Sequence, residues 1–254
     1  MMLQNTRNRI RSVLFLLLAV SFFAFLPANR AYAERPYKRC APDEVHPIWW
    51  KAEIRYDEKV KIQETRATET LEKGTKVTVV SNNTTGARQI MLKDGTHCYV
   101  PQSALYIFED ACTPGDYTKA TKLSFVNSRR ITSETEYMIW VSTDMQSLNV
   151  FTGYNRHWQL VKSFKCSSGM AGYATPLGSR RIVVKMPVCH SDQWDSNLQY
   201  FLSFGGSGIH KWPGGGAGEN LGVRPCSHGC VRLGTNAAIW MFKHIPVNTR
   251  FLVY

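Results

Sequence analysis

One eight-residue stretch near the C-terminus limits most strongly what this chain can be. Residues 226–233 read Cys-Ser-His-Gly-Cys-Val-Arg-Leu, so Cys230 has His228 two positions before it and His210 twenty positions before it. A thiolate is the nucleophilic form of cysteine, and a nearby imidazole can generate it at neutral pH. Gly229 permits a tight turn beside the sulfur, which would aim the amides of Gly229 and Cys230 at a developing oxyanion. The stretch therefore predicts an activated thiol at Cys230.

Two ordered blocks resemble one known family. Sixteen residues separate His210 from Ser227, and Ser-His-Gly-Cys-Val-Arg-Leu follows. Together they resemble the signature of the L,D-transpeptidase catalytic domain of bacterial cell-wall enzymes. Upstream, Ser-Gly at 168–169 and Thr-Pro-Leu-Gly at 175–178 resemble that family's second block. The resemblance covers about residues 137–254, with one departure, since Lys211 stands where the family usually has glycine.

The resemblance implies roles for individual residues. Cys230 would be the nucleophile, and His210 would be the general base, oriented by the backbone carbonyl of Lys211. Other residues would line the site, donate to the oxyanion or contact substrate: Ser227, His228, Gly229 and Lys211 as lining or oxyanion groups, and Arg232, Trp212 and Tyr173 as substrate contacts. The alternative for Arg232 is a structural ion pair, and for Trp212 and Tyr173 it is packing. Partnership with His210 is also expected to lower the pKa of the Cys230 thiol.

The activity that the resemblance implies is acyl transfer on peptidoglycan stem peptides. The cysteine attacks the carbonyl of the third residue of a tetrapeptide stem, and the terminal D-alanine leaves. An amine of a second stem or of an envelope protein then makes a cross-link, whereas water makes the enzyme an L,D-carboxypeptidase. A non-catalytic wall-binding protein is a further alternative. No metal or cofactor is expected, because a thioester intermediate needs none.

A zinc site is the competing interpretation of the same residues. Cys226, Cys230, His210 and His228 are thiolates and imidazoles, the ligands that zinc prefers. Their spacing matches common zinc motifs poorly. The nucleophile is therefore favoured over the metal.

The N-terminal residues predict export. Residues 1–12 carry Arg7, Arg9 and Arg11 without an acid, residues 13–26 are fourteen apolar or small residues, and Ala-Tyr-Ala ends at Ala33. This layout is typical of a cleaved secretory signal peptide over residues 1–33, and the apolar run is short of the roughly 20 residues of a membrane span. Its loss removes four arginines and lowers the formal charge from +12 to 12 − 4 = +8. A basic exported protein suits an anionic envelope polymer in the periplasm or cell envelope. Nucleic-acid binding and stable membrane insertion are not expected.

Seven cysteines in an exported chain favour disulfides, and an odd number leaves one thiol free. If Cys230 is that thiol, at most three bridges join the remaining six, whose pairing stays open: Cys40, Cys98, Cys112, Cys166, Cys189 and Cys226. Some of these cysteines are alternatively buried thiols.

Residues 34–112 predict a small all-β barrel. Several short strands alternate with turns, and Asp-Gly at 94–95 is a strong hairpin signal. Leu-Glu-Lys-Gly-Thr-Lys-Val-Thr-Val at 71–79, followed by Gly-Thr at 95–96 and Tyr-Val-Pro at 99–101, resembles the bacterial Src-homology-3-like domain. That domain is often a wall-binding or positioning module. The alternative is a β appendage that caps the catalytic domain.

Residues 113–136 are predicted to be a linker with one short strand, and residues 137–254 a β-sandwich. The only predicted helix covers 236–244. Seven glycines between 205 and 218 predict a mobile loop over the site rather than a phosphate-binding loop, since no Gly-Lys-Ser/Thr follows. The fold class is therefore all-β: a Src-homology-3-like barrel, then an L,D-transpeptidase-type sandwich.

Overall fold

The computed structural model of the protein describes residues 45–80, 86–108, 115–214 and 220–254. The predicted signal peptide, Cys40 and Cys112 lie outside these residues, as does part of the glycine-rich segment, 215–219. Among the described residues no helix is long and apolar enough to cross a membrane. The described residues all fall in one compact unit, residues 35–254. The division of that unit into a barrel and a catalytic domain stays a prediction.

The described residues of the N-terminal part form seven short strands. They are β1 Trp50–Ile54, β2 Glu58–Lys61, β3 Thr68–Leu71, β4 Lys76–Val79, β5 Ala87–Met91, β6 His97–Pro101 and β7 Leu105–Ile107. Five of them form an antiparallel sheet in the order β6-β5-β4-β1-β7, and β2 pairs with β3 in a separate ribbon. The Asp-Gly turn predicted at 94–95 joins β5 to β6, with Gly95 at φ +90°.

The core of this part follows from the period of two in its strands. Along β1 the buried residues alternate with partly exposed ones, which places Trp50, Ala52 and Ile54 on one inner face. Trp50 is 4% exposed, so it is a core residue. Tyr99 is exposed, and Trp49 stacks on His46 with ring centroids 4.1 Å apart.

The segment predicted as a linker contains a helix, α1 Lys119–Asn127, where the sequence analysis expected a strand. Thr118 caps its first turn by accepting a hydrogen bond from the amide of Thr121. The helix buries Phe125, which stacks on Trp140 at 4.2 Å, and Lys122, which pairs with Asp116. The helix forms because tertiary packing buries this face, a contribution that local periodicity does not reveal.

The C-terminal part is a nine-stranded sheet with one further helix. Its elements are β8 Tyr137–Ser142, β9 Ser147–Thr152, β10 Gln159–Ser167, β11 Gly178–Arg181, β12 Val184–Ser191, β13 Ser196–Ser203, β14 Gly208–Lys211, β15 Val231–Leu233, α2 Thr235–His244 and β16 Arg250–Val253. The strand order is β11-β16-β8-β9-β10-β15-β14-β13-β12. Residues 159–165 of β10 pair with β9 and residues 166–167 pair with β15, so this strand joins the two halves of the sheet.

The two halves enclose one apolar core, which includes Val141, Ile209, Val231 and Met241 of helix α2. Two strand pairs are parallel, β8 with β16 and β14 with β15. The all-β fold class is confirmed, with two α-helices in the described residues rather than one. Helix α2 begins one residue before its predicted start and ends at the predicted residue, His244.

Part of the glycine-rich segment is a strand and not a loop. Strand β14, Gly208–Lys211, lies inside the sheet between β13 and β15. A Cβ atom on Gly208 would lie 2.2 Å from the ring of Phe201, so glycine is required here for close packing. The prediction of a mobile loop is therefore wrong for residues 208–211.

Candidate active site

A cavity of about 520 Å³ opens at the ends of β14 and β15. Cys230, His210, His228 and Arg232 all line it. The parallel pairing of the two strands places His210 opposite Arg232, and Cys230 directly precedes β15. Residues twenty positions apart in the sequence are thus brought to one site, as the spacing predicted.

His210 is held in one tautomer by the backbone. Its ring is 2% exposed, and Nδ1 lies 2.6 Å from the carbonyl oxygen of Lys211. A carbonyl only accepts hydrogen bonds, so Nδ1 carries the proton and Nε2 has a free lone pair. The contact to Lys211 is the one that the family resemblance implied. This hydrogen bond does not require glycine at position 211, because its acceptor is a backbone carbonyl, which every residue has.

Burial lowers the pKa of His210 to about 4. The hydrogen bond to Lys211 opposes this shift, and the charge of Arg232 adds to it. The imidazole is therefore neutral at pH 7 and able to accept a proton.

The Cys230 thiol has a raised pKa, which overturns the expectation of a lowered one. Burial is the largest cause, and a neighbouring thiol, Cys189, acts in the same direction. The backbone amide of Gly208 and the charge of Arg232 oppose the shift. Because the imidazole is also neutral, the site holds a thiol and an imidazole rather than a thiolate and imidazolium ion pair.

The loop that carries Cys230 is fixed by its own hydrogen bonds. Gly229 has φ +112°, which confirms that the turn beside the sulfur needs glycine. The Ser227 hydroxyl is fully buried and donates to the carbonyl of Cys230, and it accepts from the amide of Gly229 at 3.2 Å. The Gly229 amide is thus already engaged, so it can serve an oxyanion only after this bond breaks.

Arg232 lies beside the cavity without a carboxylate partner among the described residues. Its Nη1 donates to the carbonyl of Cys226 at 3.0 Å, and the guanidinium carbon lies 4.9 Å from the ring centroid of Trp212. Its Nε is buried and makes no hydrogen bond. Within the described part of the chain, the structural ion pair considered for Arg232 is absent, and Trp212 packs against Arg232.

An aromatic cluster forms one wall, and the sequence analysis found only part of it. Trp194 stacks on His228 with centroids 3.8 Å apart, and Tyr173 meets both rings edge to face. Tyr173 and Trp194 are 45% and 42% exposed, so both face solvent rather than the core; Trp194 lines the cavity, and Tyr173 lies beside it through its contacts with Trp194 and His228. Trp194 was missed because it lies in a 3-10 turn between β12 and β13, distant in sequence from the signature. The pKa of His228 is lowered by its partial burial and by Arg232.

The other described cysteines are free thiols: Cys98, Cys166, Cys189 and Cys226. Cys226 lies 2.9 Å from the Ser167 hydroxyl, and Cys98 and Cys166 are fully buried. The disulfides proposed among these four are therefore not formed, and the alternative of buried thiols holds for Cys98 and Cys166. The described residues contain no group of three or more His, Cys, Asp or Glu side chains arranged to hold a metal ion, so Cys226, Cys230, His210 and His228 do not form the zinc set considered above.

The match of the sequence to known families agrees with this site. Residues 136–253 match the YkuD family, the L,D-transpeptidase catalytic domain. The matched residues contain both signature blocks and the whole cavity lining, and they make up a little under half of the chain. The resemblance predicted for the C-terminal part is thereby confirmed. The Src-homology-3-like character of the N-terminal part stays a prediction.

Solved structures similar to this chain include three from different bacteria. A fused Zn-dependent amidase/peptidase/peptidoglycan-binding domain-containing protein from Clostridium acetobutylicum is 26% identical, with TM-score 0.45 over 54% of this chain and 59% of its own. An L,D-transpeptidase from Stackebrandtia nassauensis is 21% identical, with TM-score 0.40 over 54% and 66%. An L,D-transpeptidase from Mycobacterium smegmatis is 16% identical, with TM-score 0.42 over 70% and 82%. The chain therefore spans less than two thirds of the first two proteins. No curated protein matches it.

Proposed function

We propose that this protein is a peptidoglycan L,D-transpeptidase with Cys230 as nucleophile and His210 as general base. The observation that carries the proposal is the neutral, backbone-anchored imidazole of His210 in the same cavity as the Cys230 thiol. Nδ1 is occupied by Lys211, so Nε2 is the atom that exchanges protons. The match of residues 136–253 to the L,D-transpeptidase catalytic domain supports the reaction class.

The first half-reaction acylates the thiol. His210 Nε2 takes the proton of Cys230 as Sγ attacks the carbonyl carbon of the third residue of a tetrapeptide stem. A carbon–sulfur bond forms, the amide bond to the terminal D-alanine breaks, and the imidazolium returns its proton to the leaving amine. Because the resting pair is neutral, this proton transfer accompanies the attack and does not precede it.

The second half-reaction regenerates the enzyme. An acceptor amine gives its proton to His210 and attacks the thioester carbonyl, a carbon–nitrogen bond forms, and the sulfur leaves and regains the proton. The acceptor is a second stem or an envelope protein. Water in place of the amine gives L,D-carboxypeptidase activity.

The oxyanion of each tetrahedral intermediate needs donors close to Cys230. The Cys230 amide and the Gly229 amide are the proposed pair, the latter after release of Ser227 Oγ. The guanidinium of Arg232, with its unbonded Nε, supplies positive charge for a carboxylate of the stem. Tyr173, Trp194 and His228 offer flat faces at the rim against which the stem packs.

The proposed location is the periplasm or cell envelope, where peptidoglycan lies. It is supported by the predicted signal peptide and by a family whose catalytic domain is named for a cell-wall reaction. The N-terminal strands are proposed to bind the wall or to position the catalytic part on it.

Incubation of the mature protein with a disaccharide-tetrapeptide, followed by mass spectrometry, tests the proposal. A cross-linked dimer lacking one D-alanine is the expected product. A tripeptide stem without dimer identifies a carboxypeptidase. If no product and no acyl adduct on Cys230 form while the protein still binds sacculi, the protein is a binding module and the proposal fails.

A further inference from the structure

Gln146 is a fully buried polar side chain that the proposed reaction does not use. It closes the turn of residues 143–146 between β8 and β9, and its φ is +48°. Few residues other than glycine adopt a positive φ, and asparagine and aspartate are the usual exceptions. A glutamine in this conformation suggests that the position is kept for its side chain, since its backbone preference does not favour it.

Both ends of the Gln146 carboxamide contact Ser168. Its Oε1 accepts a hydrogen bond from the Ser168 amide at 2.7 Å, and its Nε2 donates to the Ser168 hydroxyl at 2.8 Å. Nε2 also donates to the carbonyl of Thr143, and the Gln146 carbonyl accepts from the Cys166 amide at 2.8 Å. Each polar group of the side chain is therefore satisfied, which is the condition for burying an amide in a core.

Ser168 in turn supports the loop that carries the nucleophile. Its carbonyl accepts hydrogen bonds from the amides of Cys226 and Ser227, each at 3.0 Å. The Ser227 hydroxyl then binds the carbonyl of Cys230 and the amide of Gly229. Two residues, Ser168 and Ser227, thus separate Gln146 from Cys230, and each step between them is a hydrogen bond.

The backbone at the centre of this chain of hydrogen bonds, around Ser168 and Gly169, is tightly packed. A parallel bridge joins Gly169 to Ser227, and the Met170 amide donates to the Ser227 carbonyl at 2.9 Å. A Cβ atom on Gly169 would lie 2.0 Å from the carbonyl of Tyr173, so the backbone here is packed without room for a side chain. A shift of Ser168 is therefore passed to the Cys230 loop rather than absorbed.

We propose that Gln146 is a positioning residue, which fixes the height and orientation of the Cys230 loop by holding Ser168. The inference rests on the proposed function for its kinetic consequence, but the position of the thiol is measurable without turnover. A displacement of about 1 Å from the reactive geometry costs on the order of 10²-fold in rate. Loss of the Gln146 side chain is expected to act through kcat, since Gln146 does not contact the cavity.

The variant Gln146→Asn separates the side chain from the backbone. Asparagine suits a positive φ at least as well as glutamine, so the turn is retained. Its carboxamide is shorter by one methylene and does not span the distance to Ser168. Gln159→Asn is the matched control, because Gln159 is exposed on β10.

Two readouts are expected to move in Gln146→Asn. At pH 8.5, the alkylation rate of Cys230 relative to Cys189 falls at least threefold in protein that is folded by circular dichroism. In the stem-peptide assay kcat falls about 10- to 100-fold, with KM within twofold of the parent. A purely structural role would lower the melting temperature without moving the Cys230 to Cys189 ratio. That ratio unchanged in folded Gln146→Asn overturns the proposal.

A second variant covers the case in which Gln146→Asn does not fold. Ser168→Ala keeps the backbone of the supporting residue and removes only its hydroxyl contact to Gln146. A fall in the Cys230 to Cys189 ratio supports the proposal, and an unchanged ratio overturns it. If the parent protein has no turnover at all, the proposed function fails, while the alkylation ratio still decides the role of Gln146.

Discussion

Two of the cysteine and histidine neighbourhoods in the described residues differ sharply in their access to the active-site cavity. In the N-terminal sheet, Cys98 and His97 are adjacent on β6. Cys98 is fully buried, and burial together with the charges of Glu69 and Glu64 raises its pKa to about 11. His97 Nδ1 lies 2.8 Å from the carboxylate of Glu64. This thiol has no access to a substrate.

The neighbourhood of Cys230 and His210 differs in access and in the charges around it. Both residues line a cavity, the imidazole is anchored by a neutral carbonyl, and a backbone amide and an arginine favour the thiolate of Cys230. The carboxylates at Cys98 act in the opposite direction. The difference between the two thiols is therefore one of access to a cavity and of a nearby imidazole nitrogen, and not of a lowered pKa, since the pKa of each thiol is raised.

The strongest test of this difference is to replace each of the two cysteines in turn and to measure turnover. Cys230→Ala is expected to lower turnover of the disaccharide-tetrapeptide on the order of 10⁴-fold or more, since no covalent intermediate can form. Cys98→Ala, the matched control, leaves kcat within about threefold, because Cys98 serves only packing. Mass spectrometry of products measures both. Comparable losses of turnover in the two variants, each folded by circular dichroism, would mean that turnover does not depend specifically on Cys230.

Replacement of the two imidazoles is expected to give a smaller contrast. His210→Gln removes the proton acceptor and lowers kcat/KM by about 10² to 10⁴-fold, the usual range for general base catalysis. His97→Gln in the N-terminal sheet is expected to change kcat/KM by less than twofold. The same product assay serves, with the melting temperature of each variant as a control. An active His210→Gln enzyme would assign the base elsewhere.

The smallest expected effect lies in the pH profile, and it tests the neutral thiol and imidazole pair. The pKa of His210 in the folded protein is about 4, so the base is neutral and active above that pH and is lost as pH falls through about 4. Lowering the pH from 7 to 5.5 should therefore change kcat/KM by less than about twofold. An ordinary imidazole would lose about tenfold over the same interval. An acid limb near 6.5 would contradict the assigned burial of His210.

The residues that meet at the candidate site were predictable from the sequence because they lie in short, ordered blocks. The spacing of His210, Ser227 and Cys230 indicated a thiol and imidazole site, and the structure brings these residues to one cavity. The turn at Gly229 followed from the conformational freedom of glycine. Strands with a period of two and the helix at 235–244 also followed from local patterns.

Other features required contacts that only the folded chain makes. Helix α1 forms because Phe125 packs on Trp140, and Trp194 reaches His228 through a turn far from the signature. Gly208 reads as a flexible residue in sequence, but in the sheet it makes room for the ring of Phe201. Such assignments depend on which distant residues become neighbours, and no local pattern encodes that.

The sequence by itself determined the proposed reactive groups, because the proposed nucleophile, the proposed base and the turn glycine follow from residue type and order. The tertiary structure decided the protonation states of the Cys230 thiol and the His210 imidazole. Burial, a nonlocal property, raises the pKa of Cys230 and lowers that of His210, so both are neutral at rest. It also decided what holds the nucleophile in place, since the contacts from Gln146 through Ser168 and Ser227 to the Cys230 loop join residues more than eighty positions apart.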